Sequence, residues 1–246
     1  MEIIVDLCNQ HHGSLLELKR MALNAFSSGA DTVKVQLMDS EKFFGNTNKK
    51  YRDISFEEAK EFKAFCDLIG VEFMASVFDE ERLEWLKELG VKRHKIASKI
   101  AKNNPKLCEK ILAENKETFI STGMLKKNEF PYGFEDNIKY LFCVSKYPTQ
   151  LFDKDLKGMP KKMGGPNSSK TRYYYGYSDH TIGIAAPLKA YINGAQVLEK
   201  HFSNNPNAQS KYEGAHLCSF DEKSLKTFKD LIKELNIMEV GGRYVT

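Results

Sequence analysis

Short β-branched runs alternate with longer amphipathic stretches along the whole chain, and this alternation restricts the fold more than any other feature. The runs that read as strands lie at 2–8 (EIIVDLC), 31–36 (DTVKVQ), 71–76 (VEFMAS), 93–97 (RHKIA), 117–121 (ETFIS), 138–144 (IKYLFCV), 173–178 (YYYGYS) and 196–201 (QVLEKH). Helical patterns fall between them at 15–28, 55–69, 79–89, 104–114, 184–193 and 221–236. The segment "DEERLEWLKELG" (79–90) shows the signal well, with apolar residues at i, i+3, i+4 and i+7, acids in its first turn and a closing glycine. Strand followed by helix, repeated, predicts a parallel sheet with helical crossovers. Eight such units within 246 residues match the count of a closed (β/α)8, or TIM, barrel. An open doubly wound sheet is the alternative, and the even spacing favours the barrel. Residues 122–137 and 146–172 carry Pro, Gly and Asn with little helical period, so the crossovers after strands 5 and 6 should be degenerate. Residues 1–246 are expected to form one barrel domain.

Composition narrows the function classes. A net charge of +4 spread along the chain gives no footprint for nucleic acid. The one basic cluster, 157–170, is interleaved with Gly, Pro and Ser and reads as a surface loop. No apolar run nears the ~20 residues of a membrane span, so no membrane partner is expected. Five scattered cysteines, odd in number and without a C-x-x-C pair, point to free thiols in a reducing compartment. The N-terminus opens directly as a strand with no signal pattern, and a cytoplasmic location is the expectation.

In barrels of this type the C-terminal ends of the strands converge on the active site. Here those ends are polar: Asp6, Lys34, Gln36, Ser76, Lys95, Ser98, Ser121, Thr122, Ser145, Tyr147, Ser178, His180, Glu199 and His201. Lys34 and Lys95 sit inside apolar runs and should be half buried, where a lysine wants an anion, unless they snorkel outward past the rim. His180 and His201 close the last two strands, whose ends should lie about 5 Å apart, a separation that suits two imidazoles on one divalent ion. The segment "STGM" at 121–124 reads either as a simple turn or as a set of donors for phosphate.

Taken in order, "GADTVKVQ", "KIAS", "ISTGM", "SKYPT", "GYSDHTIG" and "GAQVLEKHF" resemble the motifs of the sialic acid synthase family, the N-acetylneuraminate, legionaminate and pseudaminate synthases. The resemblance implies a barrel that condenses phosphoenolpyruvate with an N-acyl amino sugar to give a nine-carbon 2-keto acid and phosphate. It implies that His180 and His201 hold Mn²⁺ or Mg²⁺. It places Lys34, Ser76, Lys95, Ser98, Ser121 and Ser178 on phosphoenolpyruvate, and Gln36 and Tyr147 on the acceptor-sugar side. Asp6 and Glu199 are the candidates to position or deprotonate a water, with Lys95 as a further catalytic candidate.

The chain also departs from the family pattern. Asp6 stands for a glutamate, Gln10 and His12 for two asparagines, Ile100 for a glutamate that contacts the sugar, and Ser145 for an asparagine. "EGAH" at 213–216 lacks an aspartate. The C-terminal antifreeze-like lid domain of the family is expected to be absent, so a separate lid-domain protein or a second copy of the chain are the partners the sequence allows. The losses gather on the acceptor side and predict a sugar with fewer hydroxyls. Two other readings compete: a phosphoenolpyruvate- and metal-binding paralogue that has lost catalysis, and a Schiff-base aldolase using Lys34 or Lys95.

Overall fold

The structure, a computed structural model, describes residues 1–8, 10–165, 173–206 and 217–240. Its strands are β1 (Glu2–Asp6), β2 (Thr32–Leu37), β3 (Glu72–Val77), β4 (His94–Ile96), β5 (Thr118–Ser121), β6 (Ile138–Cys143), β7 (Gly176–Asp179) and β8 (Val197–His201). All pair in parallel, each with the next, and β8 returns to β1 to close the barrel. The predicted strand runs are found within a few residues at each end. The largest difference is at 173–175, which precede β7 rather than belong to it.

Helices cover the outside where the periodicity predicted them: α1 (Leu15–Ser27), α3 (Phe56–Ile69), α4 (Glu80–Glu88), α6 (Pro105–Leu112), α7 (Ala185–Ile192) and α8 (Glu222–Val240). Their starts are chemically marked. Ser14 and Asp79 accept from backbone N–H groups of the first turns of α1 and α4, and Ser55 with Glu58 forms a full capping box on α3. Two short helices, α2 (Ser40–Phe44) and α5 (Ser98–Asn103), were not predicted, because five or six residues are too few for a period to register. The crossovers after β5 and β6 hold, among the described residues, nothing longer than the 3₁₀ turn Leu156–Gly158. The described residues of those two crossovers are otherwise irregular, as expected.

The barrel interior is layered. Arg93 fills the N-terminal end, bonded to Glu2, Glu72 and Glu117 at 2.6–3.3 Å. Ile4, Met74, Phe119, Leu141 and Val197 form an apolar middle. Strand periodicity then turns the residues two places further on, Asp6, Ser76, Ser121, Cys143 and Glu199, inward at the C-terminal mouth. Gly176 allows β7 to lie against β8, since a β-carbon there would sit 2.2 Å from the Val197 carbonyl oxygen.

Two histidines away from the mouth make stability depend on pH. His94 is buried and its Nε2 meets Glu114 at 2.9 Å, leaving Nδ1 without a partner. Burial lowers its pKa, only partly offset by Glu114. Burial also pushes His11 down to about 4. Both are neutral in the fold, whereas the unfolded chain takes up protons below about pH 6.5. Stability is therefore lost as pH falls from 6.5 toward 4. The expected outcome is a urea midpoint that drops between pH 7 and 5, and less steeply in His94→Gln; a flat midpoint over that range would contradict it.

Candidate active site

Four charges face one another in the throat of the barrel. In register, Asp6 of β1 lies opposite Lys34 of β2 on one side and His201 of β8 on the other. Ser76 pairs with Lys95, and Ser178 with Glu199. Lys34 Nζ donates to Asp6 Oδ2 at 2.6 Å and lies 3.6 Å from Glu199 Oε1. Lys95 Nζ lies 3.4 Å from Glu199 Oε2. The alternation acid, lysine, acid, lysine lets all four remain charged with 1–6% exposure.

The hydroxyls and amides tighten this arrangement. Gln36 Nε2 donates to Asp6 Oδ2 at 3.2 Å, the Cys8 N–H to Asp6 Oδ1 at 3.0 Å, and Ser121 Oγ to Glu199 Oε2 at 3.4 Å. Lys34 reaches Ser76 Oγ at 3.4 Å. Ser98 opens α5 and accepts the Gly123 N–H at 3.0 Å, so two strand ends share one hydroxyl. Gly123 has to be small, because a β-carbon would meet Ser145 Oγ at 2.4 Å. Asp6, Lys34, Gln36, Ser76, Ser98, Ser121, Ser145 and Glu199, with Tyr147, His180 and His201, line one cavity of about 260 Å³. A liquid water occupies about 30 Å³, so a small polar molecule fits.

Electrostatics assign the groups different readiness. Burial pushes the Asp6 carboxyl up, but Lys34 and His201 outweigh it and hold it well below the usual carboxylate range. Glu199 follows the same logic, burial raising it and Lys95 and Lys34 lowering it further. Lys34 is raised because Asp6 and Glu199 overcome its burial. Lys95 is lowered, since burial and Lys34 outweigh Glu199. Burial pushes His201 down to about 4, so it is a neutral imidazole at pH 7.

The two histidines are close, with ring centroids 5.6 Å apart. Tyr147, half exposed, rests on His180 with centroids 4.1 Å apart and 5.9 Å from His201. His180 Nδ1 lies 2.7 Å from the Val144 carbonyl oxygen. A carbonyl can only accept, so that nitrogen carries the proton. Burial lowers the His180 pKa, but Cys143 and the Val144 carbonyl outweigh it and raise it, so Nε2 offers a lone pair only once the ring has given up its second proton. Among the described residues, Asp6, Cys8 and His201 bring one ligand atom each within 4.8 Å of one another. Those three offer a carboxylate, a thiol and an imidazole, while His180 stands outside that cluster with its ring centroid 5.6 Å from that of His201.

A family model described as the NeuB family matches residues 21–243. The chain belongs to the NeuB family. It is 30% identical to the N,N'-diacetyllegionaminic acid synthase of Legionella pneumophila over 98% of its own length and 73% of that protein. It is 29% identical to the N-acetylneuraminate-9-phosphate synthase of Drosophila melanogaster over 97% of its own length and 68% of that protein. Among solved structures, the N-acetylneuraminic acid (sialic acid) synthetase of Leptospira borgpetersenii superposes with a TM-score of 0.80 at 27% identity, covering 99% of this chain and 86% of that one. The resemblance read from the motifs and the barrel read from the alternation thus stand together in the family.

The sequence-named residues converge. Asp6, Lys34, Gln36, Ser76, Lys95, Ser98, Ser121, Tyr147, Ser178, His180, Glu199 and His201 all line the one cavity. Neither lysine snorkels, and both are more deeply buried than the half-buried state expected, because each meets a carboxylate inside. Ile100 packs in the hydrophobic core and does not reach the cavity, while Ser145 lines it. Gln10 is buried, bonded to Ser219. "EGAH" at 213–216 lies outside the described residues. Cys8 and Cys143 went unremarked as site residues. Cys8 stands two places beyond Asp6, and Cys143 pairs in register with Ser178; the period of two carried that signal. All five cysteines are unbridged and buried.

The alternation of charge yields a direct expectation. Lys34→Met removes one cation from between two buried carboxylates and should cost about 3–5 kcal/mol, whereas adding Asp6→Leu in the same chain should restore much of it. Urea denaturation of the two variants measures this, and equal stability of single and double variants would contradict it.

Proposed function

We propose that the chain condenses phosphoenolpyruvate with the aldehyde of an N-acyl amino sugar, giving a nonulosonic 2-keto acid and phosphate. The observation that carries this reading is the meeting, in one cavity of a NeuB-family barrel, of a lysine–serine cradle with two histidines on adjacent strand ends. The likeness to the N,N'-diacetyllegionaminic acid and N-acetylneuraminate-9-phosphate synthases supports the same reaction type.

In this reading Lys34 and Lys95 face the phosphate and carboxylate, and Ser76, Ser98, Ser121 and Ser178 supply hydroxyl donors. Lys95 is the freer cation, since its carboxylate contact is 3.4 Å against the 2.6 Å bond of Lys34. Gln36 and Tyr147 border the acceptor. His180 and His201 would hold a divalent ion, Mn²⁺ or Mg²⁺, with Asp6 supplying the oxygen ligand that such ions prefer. When bound, such an ion supplies Lewis-acid polarisation of the acceptor carbonyl.

The carbon–carbon bond forms between C3 of phosphoenolpyruvate and the aldehyde carbon, whose carbonyl double bond opens so that its oxygen takes a proton. Water adds to the cationic C2 that results, losing one proton, and cleavage of the C2–O bond expels phosphate as the C2 hydroxyl gives up its proton to become the keto group. Glu199 is the better base for that water. Asp6 is tied by three short bonds, to Lys34, Gln36 and the Cys8 N–H, while the contacts of Glu199 are 3.4–3.6 Å long. Burying the cradle leaves the reactive C2 centre to the one water that Glu199 holds and keeps bulk water from it before the carbon–carbon bond has formed. The acceptor is proposed to carry few hydroxyls, as Ile100 is turned into the core.

The lowered pKa of Lys95 also fits an amine nucleophile, the second reading, in which it forms a Schiff base with a carbonyl substrate. Phosphate release from phosphoenolpyruvate with Mn²⁺ and a panel of N-acyl sugars separates the two. Synthase chemistry should show release that needs one sugar and falls at least ~10²-fold in His201→Ala, and about 10²-fold in Glu199→Gln. Sugar-independent turnover together with borohydride trapping on Lys95 would instead establish the aldolase. Silence in the panel, with phosphoenolpyruvate still raising the melting temperature, would leave a binding protein that does not catalyse.

A further inference from the structure

Behind the two histidines, on the outer side of the barrel wall, lies an ion pair that the reaction does not use. Ser178, His180, Glu199 and His201 face the cavity, so the alternation of the strands turns Asp179 and Lys200 the other way. The two side chains are in register across β7 and β8, 0% exposed, and bonded to each other. Lys200 Nζ also donates to the Thr181 carbonyl at 2.5 Å. Asp179 accepts from Tyr177 OH at 2.7 Å, from the Thr181 N–H at 2.9 Å and from Thr181 Oγ1 at 3.1 Å. Every direction around the pair is therefore taken.

Such a pair is a poor source of stability, because apolar residues of similar volume commonly do as well or better. What it does supply is direction. The carboxylate and ammonium must meet at one geometry, so the ends of β7 and β8 cannot slide or splay. His180 follows Asp179 and His201 follows Lys200, each one peptide unit from the clamp. The clamp extends to the next loop: Thr149 bridges Thr181, its N–H donates to the His180 carbonyl at 2.7 Å, and Tyr147 of that loop lies on His180.

We propose that Asp179 and Lys200 are positioning residues, a buried clamp that sets the separation and orientation of the His180 and His201 imidazoles from outside the cavity. The consequence for the metal rests on the proposed function; the consequence for the imidazoles themselves does not.

Asp179→Leu/Lys200→Met tests it, because removing both charges leaves no unpaired ion in the wall. Asp179→Asn, which keeps the shape, serves if the double variant does not fold. Two readouts are needed. The first is metal-free: the Nδ1 proton of His180, bonded to the Val144 carbonyl, should give a slowly exchanging downfield proton resonance in ¹⁵N-histidine-labelled protein. Loss of the clamp should make that resonance broaden or vanish in the folded variants. The second is Mn²⁺ titration followed by electron paramagnetic resonance, with a dissociation constant rising by about 10–100-fold, the range typical of lost outer partners. Folded variants that keep the resonance and the Mn²⁺ affinity of the unaltered protein would overturn the clamp. If the resonance is lost while Mn²⁺ binding is absent throughout, or is unaffected by His201→Ala, the clamp stands and the metal reading fails.

Discussion

Two carboxylates and two ammonium groups share a throat that water barely enters, and the site is built on their alternation. Asp6, Lys34, Glu199 and Lys95 each have an opposite neighbour, so none carries an uncompensated charge into the interior. The same alternation leaves the mouth near neutral before a ligand arrives. An anion entering it does not simply find two free lysines; it competes with Asp6 and Glu199 for them. That competition favours ligands with more than one negative group, which can satisfy both lysines while the carboxylates turn to other donors.

Much of this was legible in the sequence, and for definite reasons. A strand run reports its own ends through a change of period, and a polar residue stood at or beside each of those ends. The fold needed only the count of runs, and the mouth only their last residues. Lys34 was readable as an anion seeker because it interrupts β-branched neighbours. That its partner is Asp6 was not readable, because pairing depends on a register that only barrel closure fixes. The short helices α2 and α5 escaped for the opposite reason: their conformation is set by the packing around them, not by a repeat of their own.

Cys8 shows the same boundary on a finer scale. By sequence it was one of five scattered thiols, and its spacing from Asp6 already put it on the inward face. Only the approach of β8 makes it a neighbour of His201, at 3.6 Å. The Asp179–Lys200 pair was hidden more thoroughly. Each residue sits inside a motif whose visible members are the histidines, and nothing in a linear reading tells an inward residue from the one that braces it.

The mouth joins the first strand to the last. Asp6 touches β2 on one side and β8 on the other, and the chain between Cys8 and His201 spans 193 positions. No growing or partly folded chain that lacks β8 can assemble the site, so ligand capture reports that the barrel has closed. Any molecule held there adds its binding free energy to the seam between β1 and β8, the strand pairing with the largest loop-closure cost in the barrel. Occupancy and fold completion are then a single equilibrium, and the seam is the place where a ligand acts as a folding cofactor.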